Sequence, residues 1–156
     1  MYHLVQITVY QLVHILLPQG VPMRTREILI LLVFGIVFWV AGTLWFERTG
    51  PRVFETTAIR YWSNFAITPV VSTVGCILIL RWRHIPASWW TTAILLIALP
   101  GMFGEAILLS NFSRLMPRMH EASAGKYGAF LFATYALVIG IAEIVTLRTA
   151  QQGPPH

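Results

Sequence analysis

Residues 28–46 read ILILLVFGIVFWVAGTLWF, an apolar run that contains no charged side chain. A helix that crosses the hydrocarbon core of a bilayer needs about 20 residues of this kind. Three more apolar runs of similar length follow, at residues 61–80, 91–110 and 127–147. The pattern therefore predicts an all-α fold, in which four transmembrane helices form a bundle.

The composition agrees with a membrane protein. Of the 156 residues, 56% are hydrophobic and 11% are charged, whereas a soluble domain carries about 25% charged residues. The net charge of +5 does not indicate a nucleic-acid partner, because the basic residues lie in short clusters between the apolar runs. Such clusters are typical of loops at lipid headgroups, so we predict the lipid bilayer as the partner and a multi-pass location in the cell membrane.

The apolar runs divide the chain into three parts. Residues 23–148 are predicted to form the transmembrane domain, and residues 149–156 form a polar tail. Residues 1–22 are apolar but are interrupted by proline and glycine near their end, so they are too short to span a bilayer. We interpret them either as a short interfacial helix or as an upstream extension that precedes a natural start at Met23.

Proline and glycine predict local features of the spans. Gly50-Pro51 is a turn signal in the connection at residues 47–60. Pro69 predicts a kink in the second span, where the hydroxyl of Ser72 or Thr73 is expected to bind the backbone carbonyl that the proline leaves without a donor. Pairs of glycines on one helix face allow a second helix to approach closely, although glycine is also simply common in membrane helices. The candidate positions are Gly35 with Gly42, and Gly101 and Gly104 with Gly125 and Gly128.

Basic residues are divided almost evenly between the two sides of the predicted bundle. One side has Arg24, Arg26, Arg81, Arg83 and Arg148, and the other has Arg48, Arg52, Arg60, Arg114, Arg118 and Lys126. Cytoplasmic loops usually carry the excess of Lys and Arg, and this distribution provides none. The two arginines directly before the first span favour a cytoplasmic N-terminus, with insertion in both orientations as the alternative.

Glu105 is the most informative polar residue. It lies five positions before the end of the third span, which corresponds to a depth of about 7 Å. A carboxylate at that depth is costly. Either the carboxyl is protonated, or it faces a cationic or hydrogen-bonding partner.

Several side chains are predicted to lie at the same end of the bundle as Glu105. Glu47 closes the first span, Arg60 and Asn64 lie at the start of the second, and Tyr127 begins the fourth. We therefore predict a polar site formed by Glu105, Asn64, Arg60 and Glu47. It is either a proton- or cation-binding site, or a structural contact in which Arg60 pairs with Glu105 and locks the helices together.

The remaining polar residues predict no catalytic or metal site. His84 and His120 fall on opposite sides of the bilayer, Cys76 is alone, and no metal-ligand, nucleophile or phosphate-binding motif is present. Glu143 is expected near Arg148 at the opposite membrane face from Glu105. We therefore predict neither an enzyme nor a cofactor.

Three stretches resemble a bacterial family of small four-helix membrane proteins of unknown function. They are FWVAGTLWFERTG at residues 38–50, PGMFGE at 100–105, and SRLMP at 113–117 leading into GAFLFATYALVIG at 128–140. The resemblance covers about residues 28–147. It implies a bacterial inner-membrane location and a four-helix architecture, but no established activity. In that family the acid of the third span is more often Asp, so Glu105 would be a longer variant.

Two functions follow from these features. The first is an accessory or structural membrane component that packs against itself as a homodimer or against a larger membrane protein. The alternative is a small proton- or cation-coupled transporter that uses Glu105. Small four-helix drug exporters carry their essential Glu in the first span, and here that span has no charge before Glu47.

Overall fold

The computed structural model describes residues 23–151 of the chain. The long helices are α1 (Thr25–Phe54), α2 (Ala58–Trp82), α3 (Trp90–Ser110) and α5 (Ala124–Gln151), and the short helix α4 (Phe112–Leu115) lies between the last two. This part of the chain contains no strand, and its four long helices are long and apolar enough to cross a membrane. The predicted all-α four-helix bundle is confirmed. The predicted interfacial helix at residues 1–22 lies outside the described residues.

Each predicted span lies inside one long helix, and most of these helices continue beyond the apolar run. The first helix, for example, contains the span at residues 28–46 but extends from Thr25 to Phe54. A helix satisfies its own backbone hydrogen bonds, so it can continue from the hydrocarbon region into the headgroup layer without losing them. The apolar runs therefore locate the helices but underestimate their length.

The predicted turn at Gly50-Pro51 is wrong, because α1 continues through both residues. The connection to α2 consists only of residues 55–57. Packing explains the difference. Gly50 lies directly against the side chain of Met119, and Phe54 is buried in the core, so tertiary contacts hold the last turn of the helix despite the proline.

Pro69 lies inside α2, as predicted. The hydroxyl bond expected for the freed carbonyl is not made, because Thr73 Oγ1 donates instead to the carbonyl of Pro69, at 2.8 Å. It does not reach the carbonyl of Phe65, the acceptor that a proline at position 69 leaves without its usual donor. Thr73 is buried, and this bond gives its hydroxyl a hydrogen-bond acceptor.

The four long helices form a ring in the order α1, α3, α5, α2. The contacts between α1 and α3, α3 and α5, and α2 and α5 are extensive, whereas α1 and α2 touch much less. One end of the bundle holds the last turn of α1 and the first turn of α5, and we call it the Glu105 end. The opposite end holds the first turn of α1 and the last turn of α2, and we call it the Glu27 end.

Polar contacts tie loops to helices at both ends. At the Glu27 end, the guanidinium of Arg83 donates to both carboxylate oxygens of Glu27, at 2.5 and 3.1 Å. At the Glu105 end, Glu55 Oε1 accepts the backbone N–H of His120 at 2.6 Å and the hydroxyl of Ser123 at 2.9 Å. Because α5 begins directly after Ser123, Glu55 fixes the start of that helix.

Two buried clusters form the core, one toward each end. The cluster at the Glu27 end contains Leu31, Leu80, Ile85, Trp90, Ala93, Ile94, Ile97, Val138 and Ala142. The cluster at the Glu105 end is rich in aromatic and methionine side chains and contains Phe46, Phe54, Leu108, Phe112, Met116, Met119, Tyr127 and Phe130. The space between the two clusters is the place where a polar group can be held away from both membrane surfaces.

Of the two glycines predicted on one face of the first span, only Gly35 permits a close approach. A Cβ atom at this position would overlap the backbone carbonyl of Ile97 in α3. At Gly42, by contrast, a Cβ would have no atom of the described residues within 4 Å. Of this predicted pair, only Gly35 lets α1 approach the backbone of α3.

We expect Gly35→Ala to lower the free energy of unfolding by about 1–3 kcal/mol, because the backbone of α3 cannot yield as a side chain can. Denaturation by SDS in mixed micelles measures this loss. Gly42→Ala is the matched control on the same helix and should be neutral or slightly stabilising, since alanine favours a helix. Equal losses for the two variants would contradict the close approach.

Candidate functional site

A central cavity of about 430 Å³ lies between the four long helices. This volume is in the range of small-molecule sites, which measure about 300–1,000 Å³. Its wall on α5 runs from Tyr127 to Ile139, so the cavity is about 18 Å long at 1.5 Å per residue. Most of its lining is apolar, and Glu105 is the only carboxyl among the described residues that line it.

Glu105 lies on α3 at one end of the central cavity, where the residue is 7% exposed. Its Oε1 accepts a hydrogen bond from the hydroxyl of Tyr127 at 3.3 Å. Its Oε2 is buried and has no hydrogen-bond partner among residues 23–151. A buried polar atom without a partner is costly, and the residue that carries it lines the central cavity.

The two glycines before Glu105 make room for aromatic rings from neighbouring helices. A Cβ at Gly104 would overlap the indole of Trp39 in α1, and one at Gly101 would lie 2.5 Å from the hydroxyl of Tyr135 in α5. Gly101 and Glu105 are four residues apart and therefore share a helix face. The PGMFGE stretch thus places two aromatic side chains beside the carboxyl.

Aromatic side chains surround the Glu105 end of the central cavity. Its lining there includes Trp39, Phe46, Tyr127, Phe130 and Tyr135. The indole Nε1 of Trp39 is a second buried polar atom without a partner among the described residues. Aromatic faces attract cations, and the attraction is stronger where water is excluded. Together with the carboxyl, they form a site suited to a positively charged group on an apolar body.

The structure places the predicted site residues in different surroundings. Glu47 pairs with Arg118 in the loop after α4, with 3.2 Å between Oε1 and Nε. Arg60 is exposed on α2, and within residues 23–151 no ion pair joins it to Glu105. The proposed Arg60–Glu105 lock is therefore wrong. The rotation of α2 about its axis explains why the pair does not form, because Arg60 faces outward while the cavity lies on the inner face of α2.

Asn64 lies on α2 toward the Glu105 end of the bundle but does not line the cavity. Its Oδ1 accepts the hydroxyl of Thr68 at 3.1 Å, and its Nδ2 is buried without a partner among the described residues. Of the four residues predicted to form the polar site, only Glu105 reaches the central cavity. Tyr127, predicted to lie at the same depth, is the group that contacts it.

Trp39 and Tyr135 are the cavity residues that sequence reasoning missed. Both lie within uniformly apolar stretches, so nothing in the local pattern distinguishes them from lipid-facing aromatics. The available signal was the pair of glycines on α3. Two small residues within one turn of an intramembrane acid indicate that large side chains from other helices pack against it.

Glu143 is bound at the other end of the bundle. Its Oε2 accepts the hydroxyl of Thr91 at 2.7 Å, and no ion pair with Arg148 is found in the described chain. The predicted contact with Arg148 is replaced by this hydrogen bond to α3. Thr91 and Glu105 are separated by about 21 Å along that helix at 1.5 Å per residue, so the two carboxyls do not act as a pair.

Comparison with known proteins identifies the family of the chain. Residues 53–149 match a family of unknown function, DUF5367. The match covers more than half of the chain, so the chain belongs to this family. No curated protein and no solved structure matches it. The matched range includes α2, α3 and α5 with Glu105, Tyr127 and Tyr135, whereas Trp39 lies before it.

The predicted resemblance is confirmed to this extent, as membership of a family of unknown function. The stretches PGMFGE, SRLMP and GAFLFATYALVIG lie within the matched range, and FWVAGTLWFERTG lies outside it. A bacterial origin and a four-helix architecture for the whole family stay predictions.

We expect the Tyr127–Glu105 hydrogen bond to contribute about 0.5–2 kcal/mol, the range measured for interhelical hydrogen bonds in membranes. A double-mutant cycle with Tyr127→Phe and Glu105→Met, followed by SDS denaturation, measures the coupling energy. The matched control is the cycle of Tyr135→Phe with Glu105→Met, since Tyr135 lines the same cavity but makes no hydrogen bond to the carboxyl. A coupling no larger than that of the control would contradict the bond.

Proposed function

We propose that this protein is a small proton-coupled transporter, in which the central cavity binds apolar cations and Glu105 exchanges each cation for a proton. One observation carries the proposal. Glu105 is the only carboxyl among the described residues that line a cavity of about 430 Å³ with aromatic and aliphatic walls, and its Oε2 is buried without a partner among those residues.

Electrostatics links the proton to the cation. An ionised carboxylate inside an apolar bundle is costly unless a positive charge lies beside it. A proton on Glu105 removes that cost in the empty cavity, and a bound cation removes it when the proton has left. The site therefore favours one positive charge at a time, and this exclusion is the basis of exchange.

The aromatic side chains supply the second part of recognition. An inorganic cation keeps its hydration shell and gains little from an apolar cavity, whereas an organic cation loses little water and buries its apolar body. Trp39, Tyr127 and Tyr135 line the cavity together with Glu105, and aromatic rings attract cations. We therefore assign lipophilic organic cations as the ligand class.

The accessory or structural role is the other function predicted from the sequence. It requires Glu105 to be sealed against a partner side chain, and the hydrogen bond to Tyr127 satisfies only one of the two carboxylate oxygens. The oxygen without a partner among the described residues and the cavity that Glu105 lines favour the transporter. The proposal further includes a homodimer, a bacterial inner-membrane location and a cytoplasmic N-terminus. It assigns no catalytic step to Glu105.

Tetraphenylphosphonium is a suitable probe, because its charge is surrounded by four aromatic rings and it has no hydrogen-bonding group. We expect the purified protein in lipid nanodiscs to bind it saturably. Glu105→Gln should weaken binding by about thirtyfold, since losing the partner of a buried charge costs about 2 kcal/mol or more. Equilibrium dialysis measures the dissociation constant.

Glu143→Gln is the matched control, because this carboxyl is bound to Thr91 at the Glu27 end and does not line the central cavity. Its dissociation constant should equal that of the unchanged protein. Saturable binding that survives Glu105→Gln, or no binding to the unchanged protein, would reject the proposed function.

Binding should also weaken as the pH falls, because protons and the cation compete for the carboxylate. By mass action, one competing proton can raise the dissociation constant of the cation by at most about tenfold for each pH unit of acidification. Tyr127, Tyr135 and Cys76 are the other titratable residues described in the cavity lining. The Glu105→Gln variant leaves all three in place, so it should show a dissociation constant that does not change with pH.

A further inference from the structure

The central cavity is closed toward both membrane surfaces by packed side chains. At the Glu105 end, Phe46 contacts Phe130 with 5.2 Å between ring centroids, and Phe54 contacts Tyr127 with 5.6 Å. All four of these residues are buried. At the Glu27 end, Leu31, Leu80, Ile94 and Val138 belong to the second buried cluster. Within residues 23–151, buried side chains thus separate the cavity from both membrane surfaces.

The side of the bundle between α1 and α2 is different. These two helices are neighbours in the ring but make far fewer contacts than the other neighbouring pairs. Phe38 of α1 is 48% exposed and Val71 of α2 is 62% exposed, and both line the central cavity. Residues that line a cavity and also reach the molecular surface mark the place where the cavity opens.

Two glycines leave the opening free. Gly42 on α1 and Gly75 on α2 both line the cavity, and a Cβ at either position would meet no atom of the described residues within 4 Å. We call this opening the slot, defined by Phe38, Gly42, Val71 and Gly75. It lies in the apolar part of both helices, so it faces lipid chains and not water.

The slot is bounded at both ends of the bundle. At one end, the connection between α1 and α2 consists only of residues 55–57. At the other, Glu27 near the start of α1 pairs with Arg83 after α2. The two helices are thus held together at their ends and separated between them, which gives a lateral opening of limited length.

From this geometry we infer that molecules reach the central cavity sideways from the bilayer, through the slot between α1 and α2. The inference rests on the proposed function for the identity of the ligand, but the route itself does not require Glu105. Lipophilic cations concentrate in membranes, so a lateral entrance presents the site to the phase in which such molecules are most abundant.

A photoreactive aryl diazirine that dissolves in the bilayer core tests the route, because it is neutral and needs no carboxylate. After illumination of the protein in lipid bilayers, mass spectrometry locates the adducts. We expect adducts on Tyr135 inside the cavity and on Phe132, which is 72% exposed on the outside of α5. Phe132 serves as the internal control for probe concentration and for folding.

Gly42→Phe and Gly75→Phe place a ring in the slot from opposite sides. When illumination immediately follows addition of the probe, each should reduce labelling of Tyr135 by about tenfold relative to Phe132, because entry through the narrowed slot becomes slow. Gly140→Phe is the matched control, since Gly140 is also an open, exposed helix position but does not line the cavity. It should leave the ratio unchanged, and so should Glu105→Gln.

The lateral route would be overturned if Tyr135 is unlabelled in the unchanged protein, or if both slot variants label Tyr135 as strongly as the unchanged protein does. The outcome is independent of cation binding. If Tyr135 is labelled through the slot but tetraphenylphosphonium does not bind, the route stands and the proposed function fails. If the cation binds at Glu105 while slot variants label normally, the function stands and the route fails.

Discussion

A carboxyl group buried inside an apolar bundle constrains everything around it. The cost of that group is met in part by Tyr127, whose hydroxyl donates to one oxygen, and the other oxygen is buried without a partner among the described residues. The position of Tyr127 depends in turn on Glu55, which fixes the start of α5 through His120 and Ser123. A surface carboxylate thus determines where the partner of a buried one lies.

The bundle combines tight and loose contacts. Gly35 brings α1 against the backbone of α3, whereas Gly101 and Gly104 on α3 admit the rings of Tyr135 and Trp39. Glycine therefore has two roles in this bundle. At Gly35 it allows close packing of two helices, and at Gly101 and Gly104 it shapes the cavity. Small residues in membrane helices are usually attributed to helix association, and here those nearest Glu105 accommodate side chains instead.

The sequence predicted the helices better than it predicted their contacts. Run length and charge located all four spans and singled out Glu105, since both depend only on the cost of polar groups in lipid. The rotation of each helix was not predictable, because helices that are apolar on every side carry no amphipathic stripe. The expected Arg60–Glu105 pair failed for this reason, and the turn at Gly50-Pro51 failed because buried Phe54 and Met119 override a local signal.

The Glu27–Arg83 pair has a mechanical consequence. The two helices α1 and α2 are held together at both ends and are separated between them. The pressure of the surrounding lipid chains therefore acts on the separated middle part. Bilayers with more ordered acyl chains exert more lateral pressure at that depth and should narrow the gap. Breaking the ion pair would leave Leu31 and Leu80 of the buried cluster to hold that end, so the spacing between α1 and α2 would be less firmly fixed.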